Sequence, residues 1–352
     1  MFSGPLTGNV TGNVTGNVSG SAASFTGNLA GDVAGTQATT VIASVGGVTA
    51  ANVAAGANLA NAATTASTPN TLVKRDANGN IPGVAPVSTA PAGMVLIPAG
   101  AFTMGNTVAA DTDITDAAPV TTTVSAFYMD INEVTQSQWD VVYLWAIDHG
   151  YSLSDGVNGG VGPSPNFPLS NVTWYDCVKW CNARSERAEK TPVYYTNNAQ
   201  TTIYKTGNVN LTNAQVKWTA NGYRLPTEAE WEKAARGGLS GQRFPLGMLI
   251  TNRIANYEGF VAPVGSYPPN GYGLNDMDGN VSEFCWDWYG TPYAGGTDPR
   301  GPAAGPVRVI RGGSCGLAGG SSRCAWRVPL DGYIGQESSP YLGFRSVLSE
   351  VP

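Results

Sequence analysis

Apolar and polar positions along this chain follow three rhythms. In the first, one modest apolar residue recurs every four positions, as in Gly8-Asn9-Val10-Thr11, Gly12-Asn13-Val14-Thr15 and Gly16-Asn17-Val18-Ser19, and the pattern resumes at Gly27-Asn28-Leu29-Ala30 and Gly31-Asp32-Val33-Ala34. One such side chain per repeat cannot bury a core within a single chain, so the segment is expected to pair with copies of itself rather than stay disordered. The second rhythm begins at Val41. Val41, Val45, Val48, Asn52, Ala55, Leu59 and Ala62 lie on alternating steps of four and three, the seam of a short coiled coil. Gly46 and Gly47 oppose that reading, since two glycines inside a helix cost roughly 2 kcal/mol together. Thr68 to Pro91, with Pro69, Asn78-Gly79, Pro82, Pro86 and Pro91, is turn-rich and has the composition of a neck.

Beyond Ala92 the rhythm is that of a globular domain. Met94 to Ile97 and Ala101 to Met104, separated by Pro98-Ala99-Gly100, predict a hairpin. Val120, Thr122, Val124, Ala126 and Tyr128 alternate with Thr121, Thr123, Ser125, Phe127 and Met129, which predicts one period-two strand. Three helices carry start signals: Thr135 with Gln138, Thr173 with Asp176, and Thr227 with Glu230 after Pro226. Trp174, Cys177, Val178 and Cys181 line one face of the second, and Gly237-Gly238 closes the third. Arg308 to Arg311 and Phe344 to Leu348 are the expected closing strands. The resulting organisation is a repetitive stem over residues 1–72, a neck over 73–91 and an α+β domain over 92–352.

Composition narrows the chemistry. In 352 residues, Gly numbers 45 and Pro 23 while 12% are charged, so a large share of the chain is loop rather than ion-paired helix. Lys plus Arg is 19 against 25 Asp plus Glu, a net of −6, which supplies no counterion-release term for a phosphate backbone. Nucleic acid is therefore not the expected partner. No apolar run of membrane-spanning length is present, so no membrane insertion is expected. The N-terminus also lacks a basic start followed by an apolar core, and no signal peptide is recognised. His149 is the single histidine, which excludes multi-His metal sites and leaves an imidazole base at one position, next to a helix end where a capping role is expected. Five cysteines do not make a disulfide framework, and Cys177 and Cys181 are expected as buried apolar residues. Asp287 is expected as a surface acid.

The motifs Met94-Val95-Leu96-Ile97-Pro98-Ala99-Gly100, Asn132-Glu133-Val134-Thr135, Tyr223-Arg224-Leu225-Pro226-Thr227-Glu228-Ala229-Glu230-Trp231-Glu232, Asn270-Gly271-Tyr272-Gly273-Leu274, Asp278-Gly279-Asn280-Val281-Ser282-Glu283, Arg311-Gly312-Gly313-Ser314 and Gly343-Phe344-Arg345 stand in one order. That order resembles formylglycine-generating enzymes and their sulfatase-modifying relatives, which implies a C-type lectin-like fold. Enzymatic members carry two copper-binding cysteines after the Arg-Gly-Gly-Ser segment, the soft thiolates selecting Cu(I). The matching positions here are Leu317 and Ser322, and Cys315 and Cys324 are displaced from the pattern, so no copper is expected. The resemblance also implies a calcium site at Asn280, Val281 and Glu283, whose oxygens suit a hard cation. Of the family's other calcium site only Asn256 and Tyr257 match.

The stretch from 308 to 348 is similar, in its layout, to the variable region of diversity-generating retroelement proteins. Fixed scaffold residues there alternate with positions rewritten through adenine-specific copying. The candidate ligand-binding positions are Gly316, Leu317, Ala318, Gly320, Trp326, Val328, Leu330, Gly332, Tyr333, Ile334, Gln336, Glu337, Pro340 and Tyr341. Changes at adenines alone do not convert an adenine-adenine-pyrimidine codon to Trp, Gln or Glu, which sets Trp326, Gln336 and Glu337 apart. Loops on a rigid scaffold with Tyr and Trp available suit recognition, the alternative being that Tyr333, Ile334 and Tyr341 fill the core. The stem resembles phage tail-fibre or bacterial surface-fibre shafts. Together these imply a trimeric, non-catalytic protein on a virion tail or cell surface that binds a protein or glycan receptor. The rival readings are a divergent formylglycine-generating-type oxidase and a shaft protein with an inert head.

Overall fold

The structure is a computed structural model that describes residues 33–34, 41–42, 44–45, 48–49, 90–156, 164–293, 295–327 and 338–350. The chain divides into two units, Met1–Thr89 and Ala90–Pro352. In the first, β1 (Val33–Ala34) pairs antiparallel with β2 (Val41–Ile42), and β3 (Ser44–Val45) with β4 (Val48–Thr49). The start of the expected coiled-coil seam is therefore extended. Val45 pairs directly with Val48, and the two residues between them in sequence are the glycines that a helix disfavours. Asn52, Ala55, Leu59 and Ala62, the Gly-Asn-Val-Thr repeats and the neck lie outside the described residues.

Among the described residues, three sheets and three α-helices build the second unit. One sheet runs β5-β8-β14-β9, from β5 (Met94–Ile97), β8 (Phe127–Asp130), β14 (Val347–Ser349) and β9 (Tyr223–Arg224). A second runs β11-β7-β6, from β11 (Gly296–Thr297), β7 (Val120–Val124) and β6 (Gly100–Met104). The third, β12-β10-β13, joins β12 (Arg308–Arg311), β10 (Ser282–Trp288) and β13 (Leu342–Gly343). Two expectations fail here. Met94–Ile97 and Gly100–Met104 do not form a hairpin, because each finds its partner in a different sheet, β8 and β7 respectively. The strand expected over 120–129 is two strands, broken where Asp298 takes both the backbone N–H (2.7 Å) and the hydroxyl (2.8 Å) of Ser125. Phe127–Asp130 is buried at every position, so period-two burial stops with it.

All three helices begin at the expected caps: α1 (Gln136–Asp148) at Thr135, α2 (Trp174–Arg187) at Thr173 and α3 (Glu228–Ala235) at Thr227, each with a reciprocal capping box. His149 is the exposed C-cap of α1. The indoles of Trp139 on α1 and Trp180 on α2 stack with centroids 5.8 Å apart, and Phe344 meets both edge-on. All five cysteines are free and buried. At the C-terminus the last strand starts at Val347 instead of Phe344, because Arg345 and Ser346 turn inward to Glu283 and Asp130.

Asp287 is not a surface acid. It is 3% exposed, and its Oδ2 accepts the Glu228 N–H at 2.8 Å, capping the start of α3. Burial and then the Glu228 carboxylate push its carboxyl up to about 8. The folded chain therefore binds a proton that the unfolded chain has released between pH ~4 and ~8, so this group lowers stability as pH rises through that window.

Two measurements follow from the fold. Phe344→Ala is expected to cost about 3–5 kcal/mol in urea unfolding, since it empties the cleft between two indoles. Asp287→Asn keeps an acceptor for the Glu228 N–H, and in urea titrations its stability relative to the native chain is expected to rise between pH 4 and 8 and to converge at pH 4.

Candidate functional site

The segment 308–348 is bolted to the domain by arginines. Arg308 lies between the indoles of Trp174 and Trp288, 3.7 Å from each centroid, and donates to the Trp286 and Leu211 carbonyls. Burial pushes its guanidinium down to about 9. Arg311 pairs with Glu232 and donates to the Cys324 and Trp326 carbonyls, which closes the loop between them. Arg327 makes a two-pronged pair with Glu228 (2.6 and 2.8 Å), and Arg345 does the same with Glu283. Arg323, further out, pairs with Asp111 and Asp113 and lies over the Trp326 ring. Glu228 and Glu232 are one turn apart on α3, so a single capped helix holds two of these bolts.

Between the bolts a few of the described positions face solvent. Gly316, Leu317, Ala318, Gly320, Pro340 and Tyr341 are exposed and Trp326 is half-buried. Tyr341 is 43% exposed and Leu317 38%, so neither fills the core. Tyr341 and Gly316 meet: a Cβ on Gly316 would stand 3.2 Å from the Tyr341 ring. Val328, Leu330, Gly332, Tyr333, Ile334, Gln336 and Glu337 lie outside the described residues. A second segment adjoins this face that sequence reasoning did not place there: the Glu258 N–H donates to the Leu317 carbonyl (3.1 Å) and the Gly259 N–H to that of Cys315 (2.6 Å).

The set Asn280, Val281 and Glu283 does not fit a calcium ion. Asn280 Oδ1 accepts N–H groups from Asn256 and Ala262, both at 2.9 Å, and its Nδ2 donates to Glu133. Both Glu283 oxygens face the Arg345 guanidinium, and Oε2 also accepts from Trp231 Nε1. A divalent cation there would stand against a buried guanidinium with no free side-chain oxygen from these residues. Asn280 instead joins loops, its N–H donating to Asn256 and its carbonyl accepting from Cys315. Burial also pushes up the carboxyls of its neighbours Glu133 and Asp276.

At the positions matching the copper ligands, Leu317 is exposed and Ser322 buried. Cys315 packs with Val261 and Val281, whereas Cys324 belongs to the separate cluster under α3. Burial pushes their thiols up to about 11 and about 12, which keeps both protonated near neutral pH.

Comparison with known proteins accords with this geometry. The sulfatase-modifying factor enzyme 1-like domain matches residues 82–350. The formylglycine-generating enzyme of Bos taurus is 32% identical over 273 residues, covering 68% of this chain and 70% of its own length. Chaperone protein LppX of Paenibacillus barcinonensis is 35% identical over 227 residues, covering 56% of this chain and 72% of its own. Among solved structures, Treponema denticola variable protein 1 is similar with a TM-score of 0.59 and 29% identity, covering 73% of this chain and 94% of that one. The chain thus belongs to the sulfatase-modifying factor enzyme 1-like family, of C-type lectin-like fold, and shares its layout with a variable protein of that kind.

Proposed function

We propose that this chain is a non-catalytic receptor-binding protein whose C-terminal loops engage a protein or glycan on a target cell. The observation that carries the reading is the exposed run Gly316-Leu317-Ala318 and its neighbour Tyr341, presented between buried arginine anchors where the enzymes of the family place copper-binding thiolates. A rigid frame under solvent-facing, sequence-tolerant positions is the arrangement that recognition surfaces use. The likeness to a variable protein supports the same reading and extends it to diversification of these loops by a retroelement. In this proposal the repetitive N-terminal segment trimerises as a fibre shaft on a phage tail or cell surface, so that three weak heads gain avidity.

The rival reading, a divergent formylglycine-generating-type oxidase, draws on the relatives that bear that name. Its chemistry needs a thiolate pair that Leu317 and Ser322 do not supply, and fold alone does not carry function. Titration with Cu(I) is expected to give no stoichiometric high-affinity site, and a sulfatase-type cysteine peptide is expected to emerge unoxidised. Stoichiometric copper with turnover would defeat the binding reading. In light scattering the full chain is expected to run as a particle of three copies. In the source genome, a near-identical copy of the segment encoding 308–348 is expected beside a reverse transcriptase, its differences confined to adenines.

A further inference from the structure

We infer that the groove between β6 and the C-terminal end of α3 binds a small hydroxylated carboxylate, the chemistry of a sugar acid, with the Lys233 ammonium as its countercharge. The site lies apart from 308–348 and does not depend on the reading of that segment.

The groove has a volume of about 410 Å³, within the range of small-molecule sites. One wall is β6 with its partner β7, where Thr103 and Thr121 stand opposite each other. The other wall comes from the last turn of α3 and the residues after it, Lys233, Arg236, Leu239 and Ser240 among them. Tyr272 closes on this wall, its ring 3.4 Å from where a Cβ of Gly238 would stand.

Charge is one-sided there. Twelve residues line the groove, none an acid, and Lys233 and Arg236 are the two that carry charge. The Arg236 guanidinium is already occupied: it pairs with Glu232 and donates to the Gly105 and Gln242 carbonyls. Lys233 is not so matched. It is 5% exposed, and its Nζ donates to the Gly100 carbonyl at 2.7 Å. Among the described residues no carboxylate stands within ion-pair distance of it. Asp298, the acid whose field reaches it, accepts the N–H and the hydroxyl of Ser125. Burying an ammonium without a countercharge is costly, and burial pushes its pKa below that of an ordinary lysine. An anion seated in the groove would relieve that cost and engage the two N–H donors that the Gly100 carbonyl leaves over.

The rest of the lining decides what kind of anion. One uncompensated positive charge matches one carboxylate, whereas a phosphate dianion would leave a net negative charge beside the core. Four hydroxyls line the groove, on Thr103, Thr121, Ser240 and Tyr272, and none has a hydrogen-bond partner among the described residues. They suit a ligand with hydroxyl groups of its own. The rings of Phe102 and Tyr272 and the side chain of Leu239 offer its C–H faces a surface to pack on. The remaining residues, Ala99, Gly100, Ala101 and Gly238, add neither charge nor bulk.

Calorimetric titration of the full chain with D-glucuronate is expected to show saturable binding at one site. D-glucose, which lacks the carboxylate, and cyclohexanecarboxylate, which lacks the hydroxyls, are each expected to bind at least about tenfold more weakly. Lys233→Gln keeps a donor for the Gly100 carbonyl and is expected to weaken glucuronate by at least about tenfold. Thr103→Glu sets a carboxylate on the opposite wall at an exposed position. It is expected to weaken glucuronate similarly with its thermal midpoint unchanged, and so reads the site even where Lys233→Gln fails to fold. No saturable binding of glucuronate, or unchanged binding by Thr103→Glu, would overturn the site. Glucose as tight as glucuronate would overturn the countercharge, and cyclohexanecarboxylate as tight would overturn the hydroxylated ligand.

Discussion

Four guanidinium groups set the geometry on which everything else in this head depends. Arg308, Arg311, Arg327 and Arg345 are all buried, and the last three each meet a carboxylate from α3 or β10. Such pairs contribute little net stability because both charges must leave water, yet removing one partner strands the other at a cost of about 3–5 kcal/mol. Their contribution is to position. The helix that supplies Glu228 and Glu232 is itself pinned by its capping box, by Asp287 below its first amide and by burial along its whole length. A loop fastened at both ends in this way can change its exposed residues without moving its attachments.

How much of this was legible in the sequence depends on where the information resides. The helix starts were, because a capping box is local: Thr135, Thr173 and Thr227 each announce a helix through a partner three residues on. Arg311 and Arg345 stood in motifs, as did Glu228, Glu232 and Glu283, but their pairing was not legible, since partners such as Arg327 and Glu228 are 99 residues apart. The hairpin expected at Pro98 failed because a turn signal says that the chain bends, not which strand it meets afterwards. Asp287 was misplaced for a similar reason. A single acid after a tryptophan carries no mark of burial, and its partner is a backbone amide of a distant helix. Of the loop 249–260 the sequence offered only Asn256 and Tyr257, and not its place beside 315–319, because two of its links there are made by main-chain N–H groups that any residue possesses.

In the motif behind the calcium expectation, the side-chain oxygens of Asn280 and Glu283 have protein partners. Asn280 and Glu283 match the family pattern, yet the amide here bridges loops and the carboxylate neutralises Arg345. At the positions where the resemblance implied copper-binding cysteines stand an exposed leucine and a buried serine. A shared framework therefore does not by itself fix what its exposed positions do.

The contact between Gly316 and Tyr341 ties together what the two positions can hold. A methyl group at 316 already crowds the ring at 3.2 Å, and a larger substituent must swing it aside. The two positions are therefore not independent letters: each choice at one edits the alphabet tolerated at the other. Substitutions made at both positions would therefore not add, the pose of one ring deciding what either site accepts.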